Sequence, residues 1–409
     1  MTTSEIITIG TEIMLGQITD SNTPYIANAL TEKGIRVQFQ TSVGDDKVLL
    51  NSALKVAAKR VDLIIITGGL GPTANDVTRE ALSDFFGVSL VVDGESYTHI
   101  QKIVESRHRK VTDADKKQAL VPEGATVVSN THGTAAGFAF RHGNAEFVCL
   151  PGVPGEMRSM LQKYLETHAT STSGEGCSLT RTIHTFGISE RAVEDAVRNC
   201  KEQARVMTLV HDGVVSVSML ATAPTGEGAV KILDAVEQNA RQKLGHAVFG
   251  TGDETLESAV ALLLKKHNKT IAVAESCTGG LVSDKLTNIP GISEFFLEGV
   301  VAYSNRAKSS ILGVPEELIT KHGAVSREVA RAMAEGIQKR SAANVGIGTT
   351  GIAGPGGATK DKPIGLVYVA VVSDGVFEVK ELRLRGARID IKRFSAHCAL
   401  NMARLSLTK

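Results

Sequence analysis

Tryptophan is absent from this 409-residue sequence, and aromatic residues make up only 4% of it. The chain is therefore poor in stacking platforms of the kind that hold single-stranded nucleic acid. An excess of charge of either sign is also missing: 45 Lys and Arg stand against 44 Asp and Glu, a formal net charge of +1. A chain so balanced has no global attraction to nucleic acid or to acidic membranes. No apolar run approaches the roughly 18 residues of a membrane helix, and the start lacks the basic and apolar regions of a signal peptide. The five cysteines (Cys149, Cys177, Cys200, Cys277 and Cys398) are scattered and never arranged as C-x-x-C. That excludes a disulfide scaffold and a thiolate zinc site and suits a reducing cytoplasm. What is plentiful is glycine, 40 residues, in a chain that is 42% hydrophobic and 22% charged. Length and composition predict two or three globular domains rich in tight turns, a cytosolic enzyme acting on small molecules.

Residues 4–168 alternate strand and helix. Ile6 to Ile9 and the apolar run Val61 to Ile66 read as buried strands, and Val37, Phe39 and Thr41 alternate as a strand does. Helices are predicted to start at Thr23-Pro24 and at Asp46, and over 77–85, 95–109 and 154–166, with a hairpin turning on Gly143-Asn144. Repeated βα units fold as an open sheet covered by helices. The stretch His168-Ala-Thr-Ser-Thr-Ser-Gly-Glu-Gly176 has no apolar periodicity and reads as a linker. A small α+β module follows over 177–252, with alternating Val215, Val217 and Met219, no evident chemistry, and a packing or dimerising role. The third domain, 253–409, is again α/β, and holds two Gly-rich stretches after apolar strands.

In that third domain Ser276 stands where the strand Thr270–Ala274 gives way to a helix, followed by Gly279 and Gly280. Free amides at a helix start form a positive pocket for a phosphate or an oxyanion, which suits a nucleophilic serine; an N-cap serine would occupy the same place. No histidine of the domain falls in triad order, so Lys308 is the candidate proton acceptor, provided burial lowers its pKa; otherwise it is a surface lysine. Tyr303 is either a second polar group of the site or a core residue with a solvated hydroxyl. Cys277 is a rival nucleophile. The stretch Thr349 to Gly357 has the composition of a phosphate cradle without a Walker lysine, and Arg383, Arg385, Arg388, Lys392 and Arg393 form a basic cluster.

The segments Ala274-Glu-Ser-Cys-Thr-Gly-Gly280, Gly299-Val-Val-Ala-Tyr-Ser-Asn-Arg-Ala-Lys308, Gly323-Ala-Val-Ser326, Gly351-Ile-Ala-Gly-Pro-Gly-Gly357 and Lys362-Pro-Ile-Gly365 resemble, in order and spacing, the C-terminal domain of the CinA family, the nicotinamide-nucleotide amidohydrolases. The resemblance implies hydrolysis of the carboxamide of nicotinamide mononucleotide to nicotinic acid mononucleotide and ammonia, with no cofactor. It implies Ser276 as nucleophile, Lys308 as base and Tyr303 as relay. Glu275, Thr278, Gly279, Gly280, Thr350, Gly351 and Arg388 would bind substrate. Amides near Thr278 and Gly279 would serve the oxyanion, and Thr350, Gly351 and Arg388 the 5′-phosphate.

Three polar loops in the first domain lie at predicted strand ends: Gly10 to Asn22, Gly68 to Thr78, and Leu150 to Met157. Such loops can converge on one ligand, or they can be ordinary turns with Asp20 and Asp76 as helix caps. The set resembles the N-terminal domain of the same family, related to the three-layer αβα molybdopterin-binding fold of MogA and MoeA. That likeness implies nucleotide binding by Asp20, Asn22, Gly69, Gly71 and Thr73. It also implies a metal-dependent ADP-ribose pyrophosphatase, with Asp76 and Glu156 holding a divalent cation. The family commonly has two adjacent acids after Gly-Pro-Thr, whereas Asn75 here precedes Asp76, so one negative charge is lost. A homodimer is expected from the resemblance. The alternative reading is a nucleotide- or molybdopterin-binding scaffold without catalysis; a DNA-recombination accessory would need a basic surface.

Overall fold

The computed structural model describes residues 2–168 and 177–408; the remainder of the expected linker, residues 169–176, lies outside them. The fold class is α/β, as expected, and the chain divides into two compact units, Met1–Thr180 with Ala221–Ile232, and Arg181–Leu220 with Leu233–Lys409. No helix among the described residues is long and apolar enough to cross a membrane.

The first unit is built on a six-stranded sheet in the order Arg36–Val43, Thr3–Ile9, Leu63–Thr67, Ala145–Leu150, Gly137–His142, Thr126–Val128. The first four strands are parallel; the hairpin sets Gly137–His142 antiparallel to Ala145–Leu150, and Thr126–Val128 pairs antiparallel with Gly137–His142. Side chains alternate across a strand, so a continuous apolar run needs cover on both faces. Ile64 and Ile66 pack in one core with Leu50, Leu54 and Leu82, from the helices Lys47–Ala57 and Thr78–Phe86. Leu63 and Ile65 pack in another with Ile26, Leu30 and Met157, from Asn22–Glu32 and Pro154–His168. Three layers result. Asp46 caps its helix, accepting from the amides of Val48 and Leu49.

In the second unit the helix Glu190–Val197 runs on into a 3-10 turn, Arg198–Glu202. An additional edge strand, Arg205–His211, pairs antiparallel with Val214–Ala223. This part packs on the terminal helix Arg388–Ser406: Phe186 lies 5.4 Å from Phe394, the Asp212 carbonyl bonds His397 Nδ1 at 3.0 Å, and Arg404 donates to His246 O.

The five-stranded sheet of this unit runs Phe296–Val301, Ile271–Glu275, Val345–Gly351, Leu366–Ser373, Val376–Arg383, the first three strands parallel and the last two antiparallel. Helices Leu256–His267 and Arg388–Ser406 cover one face, and Arg327–Ser341 the other. The latter approaches so closely that a Cβ on Gly346 or Gly348 would lie 2.3 Å from the carbonyl of Ala334 or Ala330. Glycine is required there by contact with the helix backbone.

Candidate active site

The strand Ile271–Glu275 is buried throughout and delivers Ser276 at its carboxyl end, where open α/β sheets bind ligands. The helix does not begin at Ser276 as expected. A turn intervenes, closed by the Gly279 amide donating to Ser276 O at 3.1 Å, and the helix Leu281–Thr287 starts beyond it. Gly279 (φ 63°) and Gly280 (φ 94°) are left-handed and form this turn. The helix-start amides are already used. The buried carboxylate of Glu275 accepts from the amides of Gly280, Val282 and Ser283 at 3.0, 3.1 and 2.9 Å and from the Ser283 hydroxyl at 2.7 Å. Glu275 therefore caps the helix from inside and does not face a substrate. On the turn itself, the amides of Cys277 and Thr278 have no backbone acceptor among the described residues and lie against the Cys277 sulfur. The Thr278 hydroxyl is bonded to Thr349 Oγ1 at 2.8 Å, tying the turn to the neighbouring strand.

Lys308 sits on the helix Asn305–Leu312, which Ser304 caps by accepting from the Ala307 amide. Its side chain is 2% exposed, and its Nζ lies 2.9 Å from Ser276 Oγ, 3.0 Å from Ala302 O and 3.3 Å from Tyr303 O. Burial pushes the amine below its ordinary range. A neutral amine has two N–H bonds and one lone pair. In the neutral form, with the two carbonyls taking the N–H bonds, the lone pair would face the serine hydroxyl. The neighbouring Cys277 thiol is buried and pushed up to about 12, so it carries almost no thiolate at neutral pH.

The Tyr303 phenol is not brought to this pair. It is exposed and accepts from Arg388 Nη2 at 3.0 Å, while Arg388 Nη1 donates to Gly354 O at 2.6 Å. Thr349 and Thr350, placed by composition in a loop, are buried on the strand Val345–Gly351. The Thr350 hydroxyl donates to Ala324 O at 2.8 Å. Ser276, Tyr303, Lys308, Thr350, Gly351 and Arg388 all line one crevice of about 220 Å³, and among the described residues no Asp or Glu lines it. Two motifs given no role by sequence are joined here. Lys362 donates to His322 O at 2.6 Å and to Val325 O at 2.7 Å, holding the 322–325 segment that supplies Ala324 and Val325 to the wall. Nothing local in either motif signals this long-range pairing.

In the first unit the three strand-end loops do converge, on a cavity of about 650 Å³ lined by Asn22, Gly69, Gly71, Thr73, Asp76 and Glu156 among others. Asp20 is not on it. Its carboxylate accepts from the amides of Asn22 and Thr23 and the hydroxyls of Thr8 and Thr23, the capping alternative. Burial raises its pKa, but those hydrogen bonds outweigh burial and hold it low. Asn22 donates to Thr67 Oγ1 and Gly152 O at 3.0 and 2.9 Å, leaving its buried Oδ1 without a partner. Asp76 is engaged by the amide and hydroxyl of Thr73, and Glu156 by Asn130 Nδ2 at 2.6 Å. Among the described residues no three His, Cys, Asp or Glu side chains assemble a metal site. Asp76 and Glu156, both already engaged, fit a resident cation poorly. Behind the cavity, Arg79 is fully buried and donates to the carbonyls of Leu70, Gln118, Leu120 and Ala136.

Family models match along the whole chain: a probable molybdopterin binding domain over residues 5–170, the damage-inducible protein CinA KH domain over 180–250, and the CinA C-terminal domain over 253–407. A CinA-like protein of Dictyoglomus thermophilum is 40% identical over 406 residues, 98% of each chain. Another, of Dictyoglomus turgidum, is 39% identical over 406 residues, also 98% of each. Among solved structures, the competence/damage inducible protein CihA from Agrobacterium tumefaciens is 39% identical, covering 38% of this chain and 94% of its own, with a TM-score of 0.37. By its full-length relatives and its three matched domains, the chain belongs to the CinA family of competence/damage-inducible proteins.

Proposed function

We propose that the second unit hydrolyses the carboxamide of nicotinamide mononucleotide to nicotinic acid mononucleotide and ammonia. The observation that carries this reading is the 2.9 Å contact of Ser276 Oγ with the buried Lys308 amine, inside a crevice that Arg388 also lines and, among the described residues, no carboxylate does. Ser276 Oγ attacks the carboxamide carbon as its proton passes to Lys308 Nζ. The carbonyl oxygen becomes an oxyanion beside the Cys277 and Thr278 amides. Collapse breaks the C–N bond, and the nitrogen takes the proton from Lys308 and leaves as ammonia. Water then gives a proton to Lys308 and attacks the acyl-serine, and the second collapse returns that proton to Ser276 Oγ. Arg388, with no carboxylate partner among the described residues, suits the 5′-phosphate. Incubating the full chain with the mononucleotide and measuring ammonia together with the acid product tests the reading; no product would overturn it.

A second reading, ligand binding without catalysis in the first unit, is favoured by the orphaned Asn22 Oδ1 at the convergence of three loops. A phosphorylated nucleotide or pterin is the ligand class. ADP-ribose incubated with magnesium or manganese decides between binding and pyrophosphate cleavage: AMP release would establish the latter. The partners proposed are small nucleotides and a second copy of the chain, with no nucleic acid or membrane, and the place is the cytoplasm. The free, buried Cys149, Cys200, Cys277 and Cys398 support a reducing compartment.

A further inference from the structure

The contact between Arg388 and Tyr303 gives the substrate's phosphate more than an anchoring role. Arg388 carries five N–H donors. Its Nη1 is spent on the Gly354 carbonyl and its Nη2 on the Tyr303 phenol, both neutral acceptors, at the lining of the crevice. A phosphate dianion is a far stronger acceptor and takes a guanidinium through two parallel N–H bonds. Two of the five N–H bonds are in use, so a dianion that closes on the Nη2 edge competes with the phenol for that nitrogen. Tyr303 is well placed to respond. Its side chain is 62% exposed, with room to turn, while its backbone is pinned: the carbonyl accepts from Lys308 Nζ, and Ser304 next to it caps the following helix. Only the side-chain torsions are free, so a released phenol still lies at the crevice that Ser276 and Lys308 line.

Resting on the amidohydrolase reading, we infer that the substrate's phosphate releases Tyr303 from Arg388, and that the freed ring folds over the Ser276–Lys308 pair and shields it from bulk water. The phosphate is then a switch as well as a handle. Nicotinamide riboside, which lacks it, is slow because Tyr303 stays tethered, and a separate phosphite ion supplies the missing trigger.

The full chain, turning over the mononucleotide, is assayed with the riboside alone and with added phosphite. Phosphite is expected to raise riboside kcat/KM about tenfold or more, because binding energy from a remote group is being used at the reacting centre. Tyr303→Phe has no tether: its riboside rate starts high and phosphite adds less than about twofold. Arg388→Met loses the phosphite gain. Tyrosine emission gives an independent readout, since the chain has five tyrosines and no tryptophan. Inorganic phosphate should change it in the native chain and in Arg388→Lys, and not in Tyr303→Phe. Full phosphite activation in Tyr303→Phe, or none in a native chain that hydrolyses the mononucleotide, overturns the inference. If the mononucleotide is not hydrolysed, the amidohydrolase reading fails instead. The emission change then still decides whether phosphate releases Tyr303, and its absence in the native chain counts against the release.

Discussion

Lys308 Nζ lies 2.9 Å from Ser276 Oγ although 32 positions separate the two residues, and both are buried. Their contact makes the amine's protonation state the controlling variable of the site. Burial lowers the Lys308 pKa, and only the neutral form accepts the serine proton. The rate of amide hydrolysis, kcat/KM against pH, is therefore expected to rise through the lowered pKa of Lys308, below the pH at which an ordinary lysine, near 10.4, titrates. Between those two values the folded chain has released the proton while the unfolded chain still holds it. The Lys308 contribution to stability thus increases with pH across that window. A profile flat from pH 6 to 10 in the native chain would remove Lys308 as the base.

The nucleophile has a direct chemical test. Ser276→Ala is expected to lower turnover by at least about 10³-fold without loss of the fold. Hydroxylamine added to the native chain should divert the acyl-serine to a hydroxamate at the expense of the acid product. Cys277→Ala should keep at least about half the native rate, because a thiol pushed up to about 12 supplies no nucleophile for the reaction. Hydroxamate formation in Ser276→Ala would transfer the nucleophilic role to the cysteine.

Much of this was legible in the sequence because the signals were local. The apolar run Ile6 to Ile9 lies in the strand Thr3–Ile9, and the run Val61 to Ile66 overlaps the strand Leu63–Thr67, both covered on two faces; Ser276 stands at a strand end as its neighbours indicated. What was illegible depends on groups far apart in the chain. A glutamate one residue before the candidate nucleophile reads as a substrate contact, and only three amides arriving from the next helix make it an internal cap. Arg205–His211 escaped notice because an edge strand with exposed Met207 and Leu209 does not show a buried face. The phenol of Tyr303 was given a relay role by the family resemblance, yet Arg388, 85 positions away, holds it aside.

The cap role of Glu275 predicts a particular split of effects. Glu275→Gln keeps the shape but turns an amino group toward amides that need an acceptor. Leaving buried donors unsatisfied costs about 1–3 kcal/mol, and the turn that aims Ser276 loosens. Turnover should fall about 10²-fold with KM nearly unchanged, since the carboxylate touches no substrate. A large rise in KM with kcat preserved would place Glu275 in substrate binding after all. Steady-state kinetics together with the thermal midpoint distinguish the two.

Arg79 offers the corresponding test in the first unit. Burial pushes its pKa down to about 10, so it remains charged at neutral pH, and its guanidinium serves four carbonyls from three segments around the cavity. Arg79→Met removes the cost of burying a charge but strands those carbonyls, each short of a donor. Because losing a donor at all four carbonyls, even with Gln118 O keeping the Ala136 amide, outweighs one relieved cation, the substitution is expected to destabilise the unit by about 3–5 kcal/mol. Arg79→Lys should recover only part of this, since an ammonium offers three N–H bonds from one point and cannot span three segments. Hydrogen exchange at the amides of Leu63–Thr67, in the centre of the sheet, reads the loss. Unchanged protection there in Arg79→Met would mean that water or the neighbouring backbone satisfies those carbonyls, and that the cation is dispensable to the walls of the cavity.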